Sequence, residues 1–372
     1  MKKNLLPSII GLACALLIPA AASAQFPKPT YGWNMGNTME PPSGIGAWGG
    51  SPSEPLIAGV AKAGFNLVRI PCAWDCHANK TTYQIDPEYM ARVKQVVDWC
   101  YAKKLTVVIN DHWDGGWLER SLTGTVNPVT DAKMKSYWSQ IATTFAQYDD
   151  HLLFAAANEP SVHDAAAMNE LMTYYQTFIN VVRSSGGHNG TRWLVVQGPN
   201  TDIDTTDKLM NALPTDPTPH RLIVEVHFYS PYQFALMESD ASWGKMFYFW
   251  GKPYHSATLP ERNATWGEED DMNKEFQKME TKFTSKGIPV ILGEFRAERR
   301  GEGPELKGAN LKLHVASTTY WNKCVVDYAN AHGMSPICWD TPNSLFDFKT
   351  GAVLEPETAR ALTGGRAMPP PK

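Results

Sequence analysis

Two glutamates carry the most chemical promise in this chain. Glu159 stands in Asn158-Glu159-Pro160, just after the Ala-rich run that ends at Ala157, and Glu294 follows Gly293 at the end of Val290-Ile291-Leu292. A carboxylate at the end of a hydrophobic strand is costly to desolvate unless it is used or paired. Other polar groups occupy similar places: Asn34 to Glu40, Arg69 within Val-Arg-Ile-Pro, Asn110-Asp111-His112-Trp113, His227-Phe228-Tyr229 and Trp339-Asp340. Two carboxyl groups facing one another suit cleavage of a glycosidic bond. One donates a proton to the leaving oxygen, and the other, ionised, attacks the anomeric carbon or activates water. Arg69 beside one of them would hold that carboxylate charged. The sequence leaves both a separation of about 5–5.5 Å and a wider gap open, and with them both retention and inversion.

These residues need elements that bring them to one place. Eight short apolar runs read as strands: Tyr31–Met35, Leu67–Ile70, Thr106–Asn110, Leu152–Ala157, Trp193–Gln197, Leu222–Phe228, Pro289–Gly293 and Pro336–Trp339. Continuous apolar runs such as Val107-Val108-Ile109 fit strands covered on both faces, as in a parallel sheet. Helical periods lie between them. Asp86 with Pro87 reads as an N-cap and first helical position, followed by apolar residues at Tyr89, Val93, Val96, Val97 and Cys100. Met134, Tyr137, Trp138, Ile141 and Phe145 repeat the spacing, as do segments near 164–183, 268–285 and 308–331. Strand and helix alternating in this way predict an α/β fold, a single (β/α)8 TIM barrel, whose chemistry sits where strands end and βα loops begin. A doubly wound open sheet lacks the Gly-rich phosphate turn after the first strand.

The chain has 372 residues, a formal charge of −4 and 43% hydrophobic residues, a globular composition with no electrostatic reason to bind nucleic acid or an anionic membrane. Lys2 and Lys3, an apolar stretch from Leu5 to Ala20 and Ala22-Ser23-Ala24 read as a secretory signal peptide over residues 1–24. Its core is shorter than the ~20 residues that span a bilayer, so no membrane attachment is expected after cleavage. The catalytic domain is placed at 25–366 and a Pro-rich tail at 367–372. The expected location is secreted, extracellular or periplasmic, and the expected state a monomer. Cys72, Cys76, Cys100, Cys324 and Cys338 are an odd set that cannot all pair with one another. One or two bridges among them, or buried free thiols, both fit.

With these residues in view, the chain resembles the cellulase-type enzymes of glycoside hydrolase family 5 over about residues 29–363. Similar enzymes carry GxNxGNxxE, VRIP, NEP, HxY, GEF and a strand-8 Trp in that order. Here they read as Gly32 to Glu40, Arg69 in its Val-Arg-Ile-Pro, Asn158-Glu159-Pro160, His227-Phe228-Tyr229, Gly293-Glu294-Phe295 and Trp339. The resemblance implies a retaining double displacement without metal or other cofactor. Glu159 would be the acid/base and Glu294 the nucleophile. Asn158 would bind the 2-hydroxyl of the cleaved sugar, Arg69 and Tyr229 would hold the nucleophile, and His227 would tune the acid/base. His112 and Trp339 would line the −1 subsite, with Asn37 and Glu40 further along the minus side. Many relatives have His-His where this chain has Asp111-His112, so the role passes to His112 only.

The expected function is a secreted endo-β-1,4-glucanase acting on a β-glucan polysaccharide. A mannanase, xyloglucanase or mixed-linkage glucanase would keep the mechanism and change the sugar. A barrel that binds polysaccharide without cutting it is a rival of another class. So is a metal hydrolase built from the histidines and Glu225, but no His-x-His strand motif supports it. Trp48, Trp113, Trp117, Trp243, Trp250 and Trp266 fall on loop segments, and some of them, Trp113 and Trp243 foremost, are expected to stack on sugar rings. The long segment from Ser230 to Gly267 reads either as a cleft wall on the leaving-group side or as a flap with its own hydrophobic cluster.

Overall fold

The computed structural model describes Phe26 and residues 30–365. The expected signal peptide and Pro-rich tail lie outside the described residues. Eight strands, β1 (Gly32–Met35), β2 (Leu67–Ile70), β3 (Thr106–Asn110), β4 (Leu152–Ala155), β5 (Leu194–Gln197), β6 (Leu222–Phe228), β7 (Val290–Phe295) and β8 (Met334–Asp340), pair in sequence order. Every pairing is parallel, and β8 closes on β1. The structure is the expected (β/α)8 barrel.

Helices α1 (Glu54–Lys62), α2 (Pro87–Ala102), α3 (Pro128–Thr144), α4 (Ala165–Ser184), α5 (Ile203–Leu209), the short α6 (Tyr232–Ala235), α7 (Glu269–Lys282), α8 (Gly308–Ala331) and α9 (Pro356–Leu362) surround the strands. Asp86 caps α2 by accepting from the Glu88 amide at 2.8 Å, satisfying a donor that the first helical turn leaves free. The buried stripe of α2 is Tyr89, Val93, Val96, Val97 and Cys100, the spacing that the sequence predicts. The short α1, α5 and α9 are not among the expected helices, because seven to nine residues give only about two to two and a half turns of periodicity. Cys72, Cys76, Cys100, Cys324 and Cys338, the cysteines among the described residues, are free, which decides for thiols over bridges between them.

The barrel interior is arranged in layers. Leu67, Val108, Leu153, Ala155, Val195, Ile223, Ile291 and Ile337 pack together as an apolar plug inside the ring. Alternation along a strand returns the side chain to the same face two residues later. One step above Leu67, Val108, Val195, Ile223 and Ile337 therefore stand Arg69, Asn110, Gln197, Glu225 and Trp339. The apolar layer below supports a polar layer at the C-terminal mouth, where barrel enzymes do their chemistry.

Candidate active site

Arg69 is the centre of the polar layer. Its Nη1 donates to Glu294 Oε1 and to Asn34 Oδ1, both at 2.9 Å, and its Nη2 donates to Asn158 Oδ1 at 2.9 Å. Its Nε stands 3.1 Å from Glu225 Oε1, an ion pair without hydrogen-bond alignment. One guanidinium thus ties β1, β2, β6, β7 and the segment after β4 together. Burial alone would lower its pKa, but the charges of Glu225 and Glu294 raise it.

The two catalytic candidates converge. Glu159, Glu294 and the His227 ring each offer an atom within 4.8 Å of the others'. Glu159 is at the opening, with its side chain 47% exposed, whereas Glu294 is buried beneath. Glu294 Oε2 accepts from the Tyr229 hydroxyl at 2.9 Å. Burial raises the Glu294 pKa, against the opposing charges of His227 and Arg69. For Glu159 burial also raises the pKa, but the hydrogen bond and charge of His227, with Arg69, bring it below the usual value.

Glu294 reaches this position through a backbone irregularity. Between β6 and β7 the register steps from Val226 opposite Leu292 to His227 opposite Glu294, skipping Gly293. Such a bulge re-aims a side chain. Here the extra residue is Gly293 on β7, so Glu294 turns inward to meet His227, whose Nδ1 stands 2.8 Å from Glu159 Oε1 and 3.7 Å from Glu294 Oε2. A side chain at 293 would push the Glu225 carboxylate from its place, since a Cβ there would stand 2.0 Å from Glu225 Oε1.

Asn34, Gln197 and Glu225 are site residues that the motifs did not single out for this role. Asn34 Nδ2 donates to the Gly293 carbonyl at 2.8 Å, fixing the approach to Glu294. Gln197 donates to Glu225 Oε2 at 2.5 Å and accepts from the Ala157 amide at 2.9 Å, just before Asn158. The metal reading had placed Glu225 among ligands. It is instead enclosed by Arg69, His227 and Gln197. The signal in the sequence was an apolar residue followed two positions later by a polar one on the same strand face.

His112 and Trp339 lie ring on ring, centroids 5.6 Å apart and 9° from parallel, at the edge of the mouth. Burial and the charges of Arg69 and His227 hold His112 well below the usual histidine range, so it is neutral. Asn37 takes a left-handed backbone conformation, φ 57°, which wraps the loop after β1. The Glu40 carboxylate accepts from the amides of Asn37 and Thr38 within that loop. Burial lifts its pKa to about 7, helped by Glu294. Trp113 is exposed with the Arg120 guanidinium over its ring, and Trp243, 65% exposed, leans on Tyr232. Neither belongs to the hydrogen-bonded cluster. Of the other loop tryptophans, Trp250 is buried and donates to the Gly267 carbonyl at 2.7 Å, so it holds its loop and is no sugar platform.

A closed parallel barrel whose mouth holds two adjacent carboxylates, one buried with an arginine and one facing outward with a histidine, defines a glycoside hydrolase. The comparisons name the family. The family model Cellulase (glycosyl hydrolase family 5) matches residues 25–344. The chain is 32% identical over 340 residues to Endoglucanase A of Paenibacillus barcinonensis, covering 83% of this chain and 80% of that protein. It is 32% identical over 352 residues to the xyloglucan-specific endo-beta-1,4-glucanase of Bacteroides ovatus, covering 89% and 67%. Among solved structures, a xyloglucan-specific beta-1,4-glucanase from a ruminal metagenomic library, in complex with XXLG, superposes with TM-score 0.81 at 38% identity over 91% of this chain and 95% of that one. The chain belongs to glycosyl hydrolase family 5, and it is a retaining enzyme of the cellulase type.

Proposed function

We propose that this enzyme is a secreted endo-β-1,4-glucanase that cleaves cellulose-like β-glucans, with Glu294 as nucleophile and Glu159 as acid/base. The observation that carries the reading is the meeting of these two carboxylates, within 4.8 Å at their nearest, a gap too small for the intervening water that inversion needs. Glu159 protonates the leaving oxygen while Glu294 bonds to the anomeric carbon. In the second half Glu159 takes a proton from water, which displaces Glu294 from that carbon. Asn158, held by Arg69, binds the 2-hydroxyl. Tyr229 and Arg69 aim the nucleophile, and the neutral His112 and Trp339 flank the −1 sugar. Asn37 and Glu40 serve the minus side, while Trp113 and Trp243 offer flat apolar faces to further rings. Export follows from the leader, and no described helix is long and apolar enough to cross a membrane.

A second reading keeps every catalytic role and makes xyloglucan the preferred chain, since two of the similar proteins are named for it. Initial rates and product sizes on carboxymethylcellulose, lichenan, xyloglucan and mannan separate the two. Internal cleavage of unbranched β-1,4-glucan at the highest rate supports the first, and a rate on xyloglucan at least tenfold higher selects the second. Release of no reducing ends from any of them between pH 4 and 8 would refute both.

A further inference from the structure

Glu225 lies beneath the reacting pair and touches neither member of it. It is fully buried on β6, two residues before His227 and on the same strand face. Its Oε1 is 3.1 Å from Arg69 Nε and 3.2 Å from His227 Nε2, while its Oε2 accepts from Gln197 at 2.5 Å. The His227 ring is therefore held between two carboxylates, Glu225 at Nε2 and Glu159 at Nδ1, the latter at 2.8 Å.

A neutral imidazole has one N–H and one lone pair, and an ionised carboxylate only accepts. Both ring contacts are satisfied only when both nitrogens carry protons, or when one carboxyl holds the proton instead. Glu225 does not compete for it: burial raises its pKa, but Arg69 and His227 more than reverse that. The proton at Nε2 is thus fixed, and the mobile one lies on the line from Nδ1 to Glu159.

We propose that Glu225 is a positioning residue that keeps a proton stored on His227, one hydrogen bond from Glu159, ready for the acid step. The proposal rests on Glu159 being the acid/base. As a sugar chain displaces water from Glu159, the Nδ1–H bond breaks and an O–H bond forms on Glu159. The glycosidic oxygen then takes that proton and the electron pair of its bond to the anomeric carbon, while Glu294 bonds to that carbon. His227 is left neutral, its Nε2–H still on Glu225. In the second half the proton taken from water by Glu159 passes back to Nδ1.

The surroundings agree. His227 faces Glu159 from the segment after β4, Glu225 from its own strand and Glu294 from β7, with Arg69 from β2 and Tyr229 bound to these carboxylates and His112 after β3 nearby. Burial alone would lower its pKa, but Glu294, Glu159 and Glu225 lift it to about 10. The glycine at 293 gives up a side chain where Glu225 needs the space.

The test compares Glu225→Gln with the wild type on aryl cellobiosides with a good and a poor leaving group, across pH, together with NMR titration of the His227 ring. Glu225→Gln is expected to lose about tenfold or more in kcat/KM on the poor leaving group and little on the good one. The alkaline limb should move down by about one pH unit or more, and the ring should titrate lower. A purely structural role would instead reduce both substrates alike and leave the limb in place, overturning the proposal. Glu159→Ala measured beside it separates the two readings. Equal losses there on both substrates refute the acid/base role itself, while discrimination by Glu159→Ala but not by Glu225→Gln refutes only the role of Glu225. If Glu225→Gln does not fold, the wild-type ring decides: a charged His227 at pH 7 supports the store, and a neutral one overturns it.

Discussion

The floor of the site and its rim are built by opposite means. On the floor Arg69, Glu225 and Asn34 are buried strand residues tied to one another and to Glu294. On the rim Trp48, Trp113, Trp243 and Trp266 are loop residues with much of their surface exposed. The floor is positioned by strand register, which cannot slide without turning side chains to the other face. The rim depends on how each loop packs. Tyr248 and Phe249 of the Ser230–Gly267 segment form a small cluster with Leu306 of the loop after β7, and Arg300 of that loop donates to the carbonyls of Gln233, Phe234 and Met237. The segment is anchored by Phe234, Phe247, Trp250 and Ala264 in the main core and by this shared cluster, and it presents Tyr232 and Trp243 outward. Chemistry is assigned to the part that cannot move, and choice of chain to the part that can be remodelled without disturbing it.

Substitutions on the floor should cost far more than those on the rim. Glu294→Gln removes the proposed nucleophile and should reduce kcat by on the order of 10^4-fold or more with folding intact, as burst kinetics and circular dichroism will report. Activity needs Glu294 ionised and burial raises its pKa, so the acid limb of kcat/KM should lie above the ordinary glutamate value. Glu159→Ala should cost about 10^2- to 10^4-fold on poor leaving groups and much less on activated aryl glycosides. Equal losses on both would break the contrast between the outward carboxylate and the buried one.

Gly293→Ala tests the bulge. The added Cβ has to displace Glu225 or undo the register step, so the variant should lose about 1–3 kcal/mol of stability, read from a thermal melt, with a fall in kcat on poor leaving groups. Trp243→Ala should act least. Its ring is mostly exposed, so stability should hardly change, while KM on long glucans should rise by up to about tenfold and kcat on aryl glycosides should not. A large stability loss would place Trp243 in the architecture instead of on the binding surface.

Much of the barrel was legible because a buried parallel strand must be apolar on both faces, and because Asp86-Pro87 marks a helix start by its own hydrogen bonding. The strand ends were less secure. Pro336 marked the start of the eighth run, yet β8 begins at Met334, since pairing with β7 overrides the local cost of a missing donor. Which of the loop tryptophans are buried was not legible, because a loop position in the sequence does not reveal that Trp250 packs into the main core.

The sequence by itself determined the barrel and the residue types at its mouth, because apolar periodicity and strand-end chemistry are local properties. Only the tertiary structure decided that Glu159 and Glu294 meet within 4.8 Å, that a one-residue register step on β7 turns Glu294 inward beside His227, and that Glu225 lies under both. Those facts come from closing the ring, which brings β4, β6 and β7 together across more than a hundred residues of chain, a distance over which no local pattern carries information about register.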